Sequence, residues 1–143
     1  MQLVEENYQF SGGTDPISLC QQFGSPLYVY DSSSIQNQYK RMVNAFSVKN
    51  LEIHYACKAN TNIAIMQVLK ELGSGIDCVS LEEVQLAMKA GFEPDQIMYT
   101  PNSVELENYF QAVKMGLKIN IDSISILEQF GQKHPEYLSL IHI

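Results

Sequence analysis

The sequence predicts an α/β fold, namely the first four units of a parallel (β/α)8 TIM-type barrel that stops before barrel closure. Three observations carry this. From residue 51 onward, short apolar stretches alternate with helical patterns. The apolar stretches recur about every 22 residues, near the shortest spacing a compact strand–helix repeat allows. No G-x-G-x-x-G follows a first strand, which counts against the open doubly wound sheet.

In chain order, residues 3–10 read as a short strand broken by Ser11-Gly12-Gly13. Asp15-Pro16 reads as an N-cap followed by proline at the first helical position, and Gly24 closes that helix. Leu27–Tyr30 is aromatic and β-branched and reads as a strand. Ser33 with Gln36 fits a capping box for the next helix. Four strands then follow at Leu51–Cys57, Ile76–Val79, Ile97–Tyr99 and Leu117–Ile121. The helices between and after them span residues 61–72, 80–90, 103–115 and 123–133. Gly73, Gly91, Gly116 and Gly131 stand near the helix ends as C-cap glycines. Ser80-x-x-Glu83 is a second capping box.

The chain has 143 residues, of which 45% are hydrophobic and 17% charged, so the composition supports a packed core rather than disorder. Sixteen acidic residues against nine basic ones give a net charge of −7, which argues against nucleic-acid binding. No apolar run reaches the roughly 18 residues of a membrane span. The start MQLVEENYQF lacks the pattern of a signal peptide. The three cysteines, Cys20, Cys57 and Cys78, form no C-x-x-C pair, so neither a disulfide framework nor a zinc site is expected, and a cytoplasmic setting is. A barrel needs eight units in about 250 residues. Four units with open edges expose unpaired backbone, so the chain is expected to be the N-terminal piece of a longer protein. A complete small flavodoxin-like domain is the alternative.

Strand parity nominates the chemistry. One face of each strand is apolar, with Tyr55 and Cys57, Ile76 and Cys78, then Ile119 and Ile121. The other carries His54 and Lys58, Asp77, then Asn120 and Asp122, which would face the lumen or its rim. Barrel active sites lie at the strand C-terminal ends. Lys58 ends an apolar strand and precedes the polar turn Ala59-Asn60-Thr61-Asn62. Partial desolvation there would leave a neutral amine available for a Schiff base. A solvated strand-end lysine is the plainer reading. Asp77 either orients a cofactor or is a turn carboxylate beside Gly75. The cap alone explains Glu83. His54 reads as a core histidine, Cys57 and Cys78 as small buried hydrophobes, and Met66, Met88 and Met115 as core. His134 and His142 carry no motif.

His54-Tyr55-Ala56-Cys57-Lys58-Ala59-Asn60 closely resembles the pyridoxal-phosphate lysine motif of the fold-type III decarboxylases. Gly75-Ile76-Asp77-Cys78-Val79-Ser80-Leu81-Glu82-Glu83-Val84 resembles that family's next signature. Pro26-Leu27-Tyr28-Val29-Tyr30-Asp31 and Ile119-Asn120-Ile121-Asp122-Ser123 resemble two more. The four motifs stand in family order and cover nearly the whole chain. Within the family, the diaminopimelate decarboxylase branch is the most similar.

The resemblance implies a barrel followed by a C-terminal β-domain. Residues 1–25 would pack on that domain, and residues 26–143 would form the first part of the barrel. It implies pyridoxal 5'-phosphate held by Lys58, a homodimer, and conversion of the amino acid meso-2,6-diaminopimelate to L-lysine and CO2 in lysine biosynthesis. Asp77 matches an acidic position beside the cofactor; Glu83 and His54 would be active-site neighbours. The phosphate loops, the acid facing the pyridine nitrogen and a cysteine from the partner subunit would come from later segments, so the 143-residue chain alone is expected to be inactive. Two stretches depart from the family pattern. Ser80-Leu81-Glu82-Glu83 replaces S-G-G-E, and Thr100-Pro101-Asn102-Ser103-Val104 replaces a turn containing glycine and lysine. The competing expectations are a decarboxylase of ornithine, arginine or carboxynorspermidine, and a non-catalytic half-barrel binding module.

Overall fold

The computed structural model describes residues 2–4, 7–10, 12–137 and 140–141. The chain forms two compact units, residues 1–47 and 48–143. The sequence reading divides it instead at 25/26.

In the first unit, strands β1 (Gln2–Val4) and β2 (Asn7–Gln9) pair antiparallel, with Val4 opposite Asn7. The segment expected as one strand is therefore a hairpin. Helix α1 (Pro16–Phe23) starts as its sequence predicts: the Asp15 carboxylate accepts from the Ile17 and Ser18 N–H groups, with Pro16 in the first turn. Helix α2 (Ser32–Asn44) is capped by Asp31, not by the expected Ser33–Gln36 box. A carboxylate two residues before Ser33 already takes the Ser33 and Ser34 N–H groups at 3.0 and 3.2 Å. Leu27–Tyr30, expected as a strand, has no ladder and stays exposed. Propensity without a hydrogen-bonded neighbour does not make a strand.

The second unit is the strand–helix repeat. Its parallel strands are β3 (His54–Ala56), β4 (Gly75–Cys78), β5 (Ile97–Tyr99), β6 (Lys118–Ile121) and β7 (Leu140–Ile141). They lie side by side in chain order. A doubly wound sheet reverses direction at a switch point, and a barrel does not. The sequential order is that of a barrel segment. Helices α3 (Ile63–Glu71), α4 (Leu81–Lys89), α5 (Leu106–Lys114) and α6 (Ile124–Lys133) provide the connections. Each expected helix and strand of this unit is present, trimmed by a few residues at its ends. Gly73, Gly91 and Gly116 follow their helices at φ of 88°, 96° and 75°, where a Cβ is strained. Gly131 lies inside α6 and caps nothing.

The core sits between one sheet face and the helices. Cys57, Ile76, Cys78, Ile97, Ile119 and Ile121 meet Met66, Val84, Ala87, Ala112 and Phe130. Met88 and Met115 pack at its margin, as expected. Tyr109 lies edge-on between Tyr99 and Phe130, with ring centroids 6.2 and 6.5 Å away.

Candidate functional site

The buried faces of β4, β5 and β6 are apolar, and the opposite face carries Asp77, Met98 and Asn120 half-buried and Lys118 exposed. That is the predicted parity, and it leaves Asp77 and Asn120 on the face away from the helices. In register, Ala56 of β3 stands beside Asp77 of β4. Lys58 lies two residues on, in the turn that follows β3.

Lys58 sits in a single 3-10 turn, Cys57–Ala59, directly after β3. The turn is held from several sides. The Tyr55 hydroxyl donates to the Asn60 carbonyl at 3.0 Å, and the Asn60 N–H donates to the Cys57 carbonyl at 3.1 Å. The Asn60 side chain accepts from the Asn62 N–H, and the Asn62 side chain caps α3 through the Ala64 N–H, both at 2.9 Å. Below the turn, Cys57 is fully buried and anchors it in the core. Lys58 itself is exposed, in agreement with the plainer reading of a solvated strand-end lysine and not with partial desolvation.

Asp77 is half-buried. It accepts a hydrogen bond from the Thr100 hydroxyl at 2.5 Å, across from β4 to the residue after β5. It is thus a strand carboxylate with a fixed partner, not a loose turn carboxylate beside Gly75. Glu83 behaves as a cap with a longer reach than expected. The Ser80 hydroxyl accepts from the Glu83 N–H at 3.2 Å, but the Glu83 carboxylate accepts from the Val79 N–H at 2.8 Å rather than from Ser80. It closes the turn joining β4 to α4. The Glu83 carboxylate and the Cys57 and Cys78 thiols lie within 4.8 Å of one another. Burial, helped by the Glu83 charge, pushes the Cys57 thiol up to about 11. Burial raises Cys78 further, with the neighbouring Cys57 adding to it. Both therefore carry their protons at neutral pH, as small buried hydrophobes should.

Two sequence candidates are drawn elsewhere. His54 opens β3, at the strand end opposite Lys58, and its ring lies over Gly75. There it lines an open cavity with Glu52, Gln96 and Lys118, and Glu52 contacts both His54 and Lys118. Asp122 follows β6, and its carboxylate accepts from the Tyr109 hydroxyl of α5 at 3.3 Å. That bond ties it to the helix layer rather than to the lumen. His134 packs at a tilt against the Phe110 and Phe130 rings; His142 lies outside the described residues. Sequence reasoning missed Thr100 as a partner of Asp77. Parity could have found it, since Met98 pairs with Asp77 and Thr100 shares the Met98 face.

An exposed primary amine, on a pinned turn at a strand C-terminal end with a carboxylate on the neighbouring strand, has the chemistry needed to hold an aldehyde cofactor. The donor set fits pyridoxal phosphate at its aldehyde end.

Comparison with known proteins agrees. Residues 32–143 match the family described as pyridoxal-dependent decarboxylase, pyridoxal binding domain. A diaminopimelate decarboxylase of Methanothermobacter thermautotrophicus is 41% identical over 98% of this chain and 33% of its own length. The crystal structure of diaminopimelate decarboxylase from M. jannaschii in co-complex with L-lysine superposes with a TM-score of 0.84 at 30% identity, covering 98% of this chain and 34% of that one. A lysine/ornithine decarboxylase from Vibrio vulnificus, complexed with putrescine, shares the fold at a TM-score of 0.81 and 24% identity, over 94% of this chain and 37% of that one. The chain spans about a third of the length of these relatives.

Proposed function

Since the chain belongs to the pyridoxal-dependent decarboxylase family through its pyridoxal binding domain, we propose that the protein decarboxylates meso-2,6-diaminopimelate to L-lysine and CO2. The observation that carries the reading is Lys58, presented in the turn that ends β3, next to the strand that carries Asp77. The similarity to enzymes named diaminopimelate decarboxylase, at 41% identity in one case, supports the choice of substrate. The solved relative bound to L-lysine supports the choice of product.

Pyridoxal phosphate, when bound, supplies the electron sink that accepts the electron pair left as CO2 departs. This chain's residues prepare for that. Lys58 supplies the amine that attaches the cofactor, and the Tyr55–Asn60 bond holds its turn in place. Asp77 contributes fixed negative charge on the cofactor side of the sheet. Glu83 shapes the neighbouring loop through the Val79 N–H. The phosphate contacts and the substrate's distal group belong to further segments. A homodimer and a cytoplasmic location complete the reading.

The test uses the full-length protein. Borohydride reduction with bound pyridoxal phosphate should fix the label on the Lys58 peptide, and Lys58→Ala should lose both label and lysine formation. A label on another lysine would overturn the assignment of Lys58. Turnover of ornithine or arginine with none of diaminopimelate would redirect the substrate.

A further inference from the structure

We propose that Thr100 is a positioning residue for the cofactor site, holding the Asp77 carboxylate in one orientation. The inference rests on the reading of Asp77 as an acid on the cofactor side, and adds a residue to it. The Thr100 hydroxyl donates to Asp77 Oδ1 at 2.5 Å, at the short end of the range for a hydroxyl bound to an ionised carboxylate. Oδ2 accepts no hydrogen bond among the described residues, so one oxygen is tied and the other is left for the site.

The donor is itself rigid. The Thr100 N–H continues the ladder to the Cys78 carbonyl at 2.9 Å. Pro101 follows it, fully buried, and a residue before proline is confined to extended backbone. A threonine side chain is also stiff at χ1. The next turn is fixed as well, with Ser103 at a φ of 55° and its N–H donating to Asp122. The result is a preset hydroxyl beside Asp77.

Pyridoxal phosphate affinity, followed by the absorbance of the bound cofactor without substrate, tests this in the full-length protein. Removing a hydrogen bond to a charged group predicts about tenfold weaker cofactor binding in Thr100→Val. Thr100→Ser should recover most of it, because the donor returns. In an Asp77→Asn background, Thr100→Val should add little. Should Thr100→Val fail to fold, Thr100→Ala reads the same loss. Unchanged affinity in Thr100→Val with only a lower Tm would overturn the proposal, as would an undiminished effect in the Asp77→Asn background. Failure of turnover with every diamino acid, while these affinities behave as expected, would remove the substrate reading and leave this one standing.

Discussion

At the residue scale, burial decides what each cysteine can do. Cys57 and Cys78 are both 0% exposed, and burial raises both thiols, so neither supplies a thiolate at neutral pH. Cys20 is exposed. A water-soluble disulfide reagent at pH 8 should therefore label Cys20 in the native protein and reach all three cysteines only after denaturation. Fast native labelling of Cys57 would mean that the Lys58 turn opens freely. The identity of Lys58 as the candidate amine was legible from its motif. Its exposure matches the plainer sequence reading of a solvated strand-end lysine.

At the element scale, two short sequence signals set the starts of α4 and β4. Ser80 caps α4, and Gly75 opens β4 beneath the His54 ring. Ser80→Ala should cost about 1 kcal/mol of stability, read from urea unfolding of the full-length protein. Gly75→Ala should cost about 1–3 kcal/mol as an overpacking change. Its Cβ would meet the His54 ring at 2.6 Å and the Gln96 carbonyl at 3.0 Å, and the second is backbone that cannot rotate away. A neutral Gly75→Ala would show that the His54 ring swings out at no cost. The Ser80–Glu83 spacing was readable in sequence. The reach of Glu83 to Val79 was not, because it depends on the path of the turn. Asp31 displaced the expected Ser33–Gln36 box because its carboxylate, two residues earlier, starts the helix at Ser32 by accepting from the Ser33 and Ser34 N–H groups.

At the scale of the whole molecule, parallel strands in chain order are stable when both faces and both edges are engaged. In residues 48–143, one face is packed on helices and the other is only half-buried. In residues 1–47, Tyr28 is 87% exposed, and Phe23 and Phe46 are more than half exposed. The 143-residue chain made by itself should therefore bind hydrophobic dyes, associate, and turn over no diaminopimelate. A sharp cooperative thermal transition in a monomer would count against that.

The sequence by itself determined the strand–helix alternation, the inward and outward faces of each strand, the helix caps at Asp15 and Ser80, and the family motifs around Lys58 and Asp77. These are local or periodic properties, written in spacings of two to four residues. The tertiary structure decided whatever needed a neighbour distant in sequence. It withheld a ladder from Leu27–Tyr30, set His54 at the strand end opposite Lys58, and drew Asp122 to Tyr109. It also brought Thr100 to Asp77 across 23 positions. The physical reason is common to all four: a hydrogen bond or a packed face requires two partners, and a local pattern specifies only one of them.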